Sequence, residues 1–213
     1  MIFFDIDHTL FDTDMYLESG FDRLNQMFSD LPLKNPTAIF VEIYENMRGV
    51  EVFHPKRFAH LVVEKLHLQK KKQSIIDVLE DQTLLDACIY SEVHDVFQSL
   101  AKQGVRIGIF STGDKNLQQR KIYSLREFLN QKDIHIYPLK DKEISKVLKL
   151  YKNEKITFVD DRMQVLEEIF QHDSSLSTIL IKRKKPTRDH PASNGFQPAQ
   201  KINSLKKLPN IVR

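Results

Sequence analysis

Five short apolar runs, Ile2–Ile6, Val105–Phe110, Ile134–Tyr137, Ile156–Val159 and Thr178–Ile181, constrain the fold more than any other feature of the sequence. Most are continuously apolar instead of alternating, which is the pattern of strands buried on both faces of a parallel sheet. Between the runs the period becomes that of a helix. Val93, Val96, Phe97, Leu100 and Ala101 recur at i, i+3, i+4, i+7 and i+8, with Ser91 placed as an N-cap and Gly104 as a stop. Ile144, Val147, Leu148 and Tyr151 repeat that spacing, as do Val165, Leu166, Ile169 and Phe170. Strands alternating with helices predict an α/β fold with a Rossmann-like, doubly wound parallel sheet.

Residues 14–90 break the alternation. They carry several helical patterns and no run that reads as a strand. Leu17, Phe21, Leu24 and Phe28 line one face of a helix, while Asn35-Pro36 and His54-Pro55 each read as an N-cap followed by proline at the first helical position. The stretch is far too long for a loop. It predicts an α-helical cap subdomain, 14–90, inserted into a core made of 1–13 and 91–213. Near the other end, residues 183–200 mix prolines, a glycine and polar residues, predicting an irregular surface excursion. A short helix near Asn203–Leu208 is expected to return to the core.

Charge and cysteine content narrow the function classes. Lys+Arg number 32 and Asp+Glu 29, a net +3 that is too balanced to argue for nucleic acid. The basic runs Lys70–Lys72 and Lys182–Lys185 read as solvated surface. Cys88 is the single cysteine and sits among apolar residues, so it reads as a small buried hydrophobe. No apolar run approaches the roughly 18 residues of a membrane span, and a strand beginning at Ile2 leaves no recognisable signal peptide. The expectation is a cytoplasmic protein with neither membrane nor nucleic acid as partner.

In open α/β sheets, ligands sit beyond the carboxyl ends of the strands. The residues delivered there are Asp5-Ile6-Asp7-His8-Thr9 after the first run, Ser111-Thr112-Gly113-Asp114 after the second and Asp160-Asp161-Arg162 after the fourth. A helix start near Lys140-Asp141-Lys142 faces the same edge. Clustered carboxylates repel by about 4 kcal/mol per pair at 4 Å and an effective dielectric near 20. Such a cluster calls for cations, and an oxygen-only donor set with phosphate chemistry points to Mg²⁺. Asp5 is placed to attack phosphorus and Asp7 to protonate the leaving oxygen and later deprotonate water. Taken singly these strings are weak: Asp-x-Asp-x-Thr can be an Asx turn, Ser-Thr-Gly after a strand is commonplace, and one of Asp160 and Asp161 can cap the next helix. Their order along the chain is what is specific.

In that order the chain resembles the haloacid dehalogenase-like superfamily of hydrolases over nearly its whole length. Phe3-Phe4-Asp5-Ile6-Asp7-His8-Thr9-Leu10 is similar to the first motif, Ile107-Gly108-Ile109-Phe110-Ser111 to the second, Lys142 to the third and Phe158-Val159-Asp160-Asp161 to the fourth. The resemblance implies Asp5 as nucleophile and Asp7 as general acid and base. It implies Mg²⁺ held by the side chains of Asp5 and Asp161 and the backbone carbonyl of Asp7, with Asp160 beside them, and phosphate bound by Ser111 and Lys142. Thr112 competes with Ser111, and Lys140 with Lys142. Ser111 is preferred because it directly follows the apolar run, Lys142 because Glu143-Ile144 continue the helix. His8 stands where the family often has glycine, so the turn must accept a side chain, expected to pack.

The expected activity is a magnesium-dependent phosphatase acting on a small phosphorylated metabolite through an aspartyl-phosphate. A phosphomutase of the same superfamily and a receiver-like module that accepts phosphate without turnover are the alternatives. A dehalogenase ranks below them, because that chemistry needs the first aspartate but neither a protonating Asp7 nor a full magnesium site.

Overall fold

The computed structural model describes residues 1–31, 35–48, 50–183 and 195–212. Six parallel strands form one sheet in the order β3-β2-β1-β4-β5-β6. They are β1 (Ile2–Phe4), β2 (Ile107–Thr112), β3 (Leu129–Tyr137), β4 (Thr157–Asp160), β5 (Ser177–Ile181) and β6 (Gln200–Ile202). Alternate side chains of β1 enter two different cores. Phe3 joins Phe110, Phe158 and Leu166 on one face, while Ile2 and Phe4 join Phe97 and Leu100 on the other. Both faces are therefore covered, which is why these runs are continuously apolar. Gly108 lies opposite Phe3 in the register, and a Cβ there would come within 2.6 Å of the Phe3 ring.

Between β1 and β2 the chain forms α1 (Thr13–Met27), α2 (Pro36–Met47), α3 (Pro55–Leu66), α4 (Lys72–Leu79), α5 (Gln82–Ala87) and α6 (Val93–Lys102). Among the described residues of 14–90 the regular elements are all helical, with Ile89 in an isolated bridge to Phe11. The two expected Asx- and His-capped starts are present. Asn35 accepts from the Ala38 N–H and His54 Nδ1 from the Lys56 N–H, each followed by proline at the first position. Entry to and exit from this helical insert run side by side, with Asp12 N–H donating to Cys88 O at 2.7 Å and Tyr90 N–H to Leu10 O at 3.0 Å. After β2 come α7 (Lys115–Lys121), a 3₁₀ stretch Tyr123–Phe128 and β3. A 3₁₀ turn, Lys140–Glu143, then leads into α8 (Ile144–Leu150), and α9 (Met163–His172) and α10 (Leu208–Ile211) complete the helices.

Three local expectations change. Ser91 does not cap α6: Glu92 holds the N-cap position without a side-chain cap bond, and its carboxylate pairs with Arg183. The expected excursion at 183–200 lies largely outside the described residues, but its end, Gln200, begins an edge strand, β6. That strand has three residues, two of them exposed, too few to leave a period in the sequence. The helix expected near Asn203–Leu208 is a 3₁₀ turn at Leu205–Lys207 running into α10. Cys88 is buried, as expected. Among the described residues no helix is long and apolar enough to cross a membrane.

Candidate active site

The strand order reverses direction at β1: β2 and β3 lie to one side, β4, β5 and β6 to the other. This is the switch point at which open α/β sheets bind ligands. Asp5 follows β1 there, beside Asp160 at the end of β4. One oxygen from each of Asp5, Asp160 and Asp161 lies within 4.8 Å of the others, and all three residues are buried. Into this group reaches Lys140, 2% exposed, whose Nζ donates to Asp5 Oδ1 and to Asp160 Oδ2, both at 2.5 Å. Asp160 Oδ1 also accepts from the Arg162 N–H at 2.9 Å, steadying the turn into α9.

Three buried carboxylates against one ammonium leave an excess of negative charge. Burial pushes the Asp5 carboxyl up to about 7; the charge of Lys140 opposes the rise, and Asp160 and Asp7 add to it. Burial likewise raises Asp161 well above its ordinary value, reinforced by Asp160 and Asp5. Lys140 stays firmly charged because the two aspartates outweigh its own burial. A cluster that cannot keep its carboxyls ionised alone, and that offers only oxygens, suits a hard divalent cation. Asp5, Asp160 and Asp161 are the side chains that would hold it.

Asp7 stands apart from this cluster. Its Oδ1 accepts from Lys121 Nζ at 2.5 Å and from the Thr13 hydroxyl at 2.6 Å, and its Oδ2 from Gln118 Nε2 at 2.6 Å. Burial alone would raise its pKa, but the charge and hydrogen bond of Lys121, with those of Thr13 and Gln118, hold it down at about 2. Lys121 and Gln118 are buried on α7, and the sequence reading missed both. Their signal was there only as an i, i+3 pair on a helix whose register against Asp7 no pattern reveals. Lys121 also sits 4.7 Å above the Phe11 ring.

The third-motif lysine is corrected. Lys142 is exposed in the 3₁₀ turn and does not approach the carboxylates, whereas the competing Lys140 does. The expectation assumed a helix beginning at Lys142, but the turn before α8 aims the residue two earlier inward. Ser111 and Thr112 both end β2. Ser111 is fully buried, its hydroxyl donating to Thr112 O at 3.4 Å, while Thr112 borders the cavity and its Oγ1 accepts from the Lys140 N–H at 3.5 Å. His8 is left-handed, φ 56°, and its side chain borders the cavity instead of packing inside. Above Asp7 a cavity of about 610 Å³ opens between the helical insert and the strand ends, with Asp7 in its lining.

A family model described as haloacid dehalogenase-like hydrolase matches residues 1–167. The chain belongs to the haloacid dehalogenase-like hydrolases. Solved structures agree on the fold. A haloacid dehalogenase-like hydrolase from Burkholderia xenovorans LB400 superposes with a TM-score of 0.74 at 19% identity, covering 98% of this chain and 96% of that one. The HAD-hydrolase YfnB from Bacillus subtilis, bound to magnesium, gives 0.64 at 16% identity, with 100% and 97% covered. The L-2-haloacid dehalogenase RSc1362 gives 0.61 at 17% identity, with 99% and 97% covered. No curated protein sequence matches the chain.

Proposed function

We propose that this haloacid dehalogenase-like hydrolase is a magnesium-dependent phosphatase that takes a small phosphomonoester through an aspartyl-phosphate on Asp5. The observation that carries the reading is the buried group of Asp5, Asp160 and Asp161 with Lys140 between two of them. A bound Mg²⁺ would neutralise negative charge on the transferring phosphoryl group and keep the carboxylates ionised. Lys140 adds fixed positive charge at the same point and orients Asp5 by its 2.5 Å bond. The Asp5 carboxylate forms a bond to phosphorus as the bond from phosphorus to the leaving oxygen breaks. Water then attacks the acyl phosphate, freeing Asp5 and inorganic phosphate.

Asp7 handles the proton. Pinned by Lys121, it rests as a carboxylate, the state that deprotonates water in the second step. In the first step the leaving alkoxide needs a proton, which would pass from solvent through the Asp7 carboxyl before Asp7 returns to its resting carboxylate. Thr112, at the cavity edge, is the hydroxyl that would meet a phosphate oxygen, with Ser111 buried behind it.

L-2-haloacid dehalogenases among the solved structures of this fold support a second reading, displacement of halide by Asp5. A halide leaves without a proton and gains nothing from three clustered carboxylates, so the phosphatase reading comes first. One experiment separates them. Phosphate release from a chromogenic phosphomonoester and halide release from 2-chloropropionate are measured with Mg²⁺ and with chelator. Mg²⁺-dependent multiple-turnover phosphate release supports the proposal. Halide release without it overturns it, a single stoichiometric phosphorylation points to a receiver-like module, and retention of phosphate for return to an isomeric product points to a mutase.

A further inference from the structure

The cavity above Asp7 has one aromatic wall. Its insert side presents the rings of Tyr16, Tyr44 and Phe53, with Phe53 edge-on to both tyrosines at 6.5 and 5.6 Å. The Tyr16 hydroxyl is turned away and donates to Leu79 O at 2.8 Å, so that residue offers only its ring. Two large apolar side chains stand exposed at the rim, Val50 (85%) from the insert and Leu139 (52%) from the loop after β3. Together with the rings they add apolar surface to the cavity mouth.

Several polar groups of the outer cavity are already paired, while His8 and Arg162 also border it. Arg48 pairs with Glu45 at 3.1 Å, Glu51 with Arg57 at 3.5 Å, and Asp114 caps α7 while facing His54 at 3.5 Å. Deeper in, Lys121, Gln118 and Thr13 are committed to Asp7. An apolar or aromatic body would lie against rings already held in place.

We propose that the substrate is a phosphomonoester with a predominantly apolar, aryl-bearing body, recognised by Tyr16, Tyr44 and Phe53 and closed over by Val50 and Leu139. The assignment rests on the phosphatase reading for the phosphate end only. The test compares 2-phenylethyl phosphate, glucose 6-phosphate, a nucleoside monophosphate and methyl phosphate as substrates with Mg²⁺. The expected result is a kcat/KM for 2-phenylethyl phosphate about a hundredfold above the hydroxylated esters. Val50→Asn and Leu139→Asn, both at exposed positions, should raise KM for it about tenfold. Phe53→Ala should do so further, and in all three the loss of kcat/KM should be larger on 2-phenylethyl phosphate than on methyl phosphate. Equal or better turnover of the sugar phosphate or nucleotide overturns the proposal, as does a uniform loss on methyl phosphate in the two exposed variants. If no phosphomonoester is turned over, the phosphatase reading has failed. Calorimetric binding of 2-phenylethylphosphonate against methylphosphonate then decides the cavity alone: binding at least about tenfold tighter upholds the aryl site, and equal binding removes it.

Discussion

Replacing Lys140 by methionine discriminates the structural assignment from the sequence-based one most sharply. Lys140 is 2% exposed and holds Asp5 and Asp160 at 2.5 Å each. Methionine keeps most of the side-chain volume, so the change is electrical. Removing one partner of a buried ion pair costs about 3–5 kcal/mol, because the remaining charges stay desolvated. The burial is complete enough that no discount for solvent screening applies. Part of the loss is recovered when an aspartate takes up a proton. Asp5 already sits at about 7 with Lys140 present, and its carboxyl rises further without it. The destabilisation should therefore be largest near pH 8.5 and shrink toward pH 5.

Urea denaturation of metal-free protein at both pH values measures this as a lower midpoint with an unchanged slope. Activity with Mg²⁺ should fall about 10²–10³-fold, the scale of losing one preorganised charge at a reacting centre. Lys142→Met, at an exposed position, should stay within about 0.5 kcal/mol of wild type and keep its activity. Equal damage from the two substitutions, or a Lys140→Met midpoint unmoved at pH 8.5, would refute the reasoning.

Metal-free protein should lose stability as pH rises from about 4 to 7. Folded Asp5, raised from 3.8 to about 7, keeps a proton that the unfolded chain releases. Mg²⁺ at a hundred times its dissociation constant should restore about 2.7 kcal/mol at pH 7.5, and a melting temperature flat in both titrations would contradict the cluster. Asp7→Asn should cost about 10²–10⁴-fold on alkyl phosphates. With an aryl phosphate, whose leaving group needs no proton, it should accumulate labelled phosphoenzyme; equal losses on both without accumulation would remove Asp7 from proton transfer. Gly113→Ala places a Cβ 2.6 Å from Gln118 Nε2 at φ 153°, which should push Gln118 off Asp7 and lower kcat. Gly108→Ala, whose Cβ meets Phe3, should lower the urea midpoint and leave kcat of the folded enzyme intact, and the reverse pattern would argue against Gln118 as a positioning residue.

The parts of this molecule legible in its sequence are those governed by local period. Apolar runs marked β1 to β5, most of them continuous because both sheet faces are buried, and proline behind Asn35 and His54 marked two helix starts. What escaped depends on geometry that no window contains. Lys140 and Lys142 differ by two positions, and only the 3₁₀ turn decides which faces inward. Lys121 meets Asp7 across 114 residues of chain. β6 is held by β5 rather than by its own composition.

The turn after β1 ties these facts to the chemistry. In a continued strand, side chains two apart would share a face, and Asp7 would join the carboxylates around Asp5. Instead the N–H groups of Thr9, Leu10 and Phe11 all converge on Ile6 O at 3.2, 2.9 and 3.0 Å, and His8 takes a left-handed conformation to allow it. A side chain at that φ costs on the order of 1 kcal/mol, a strain the surrounding hydrogen bonds hold in place. The bend leaves Asp5 among Asp160, Asp161 and Lys140 and carries Asp7 to Lys121 on α7. Neighbouring aspartates are thereby driven in opposite directions, one up to about 7 by burial and one down to about 2 by an ammonium. The proposed covalent and proton-transfer steps would use that separation: Asp5 as a nucleophile whose ionisation a bound cation would favour, and Asp7 as a base that Lys121 keeps ionised.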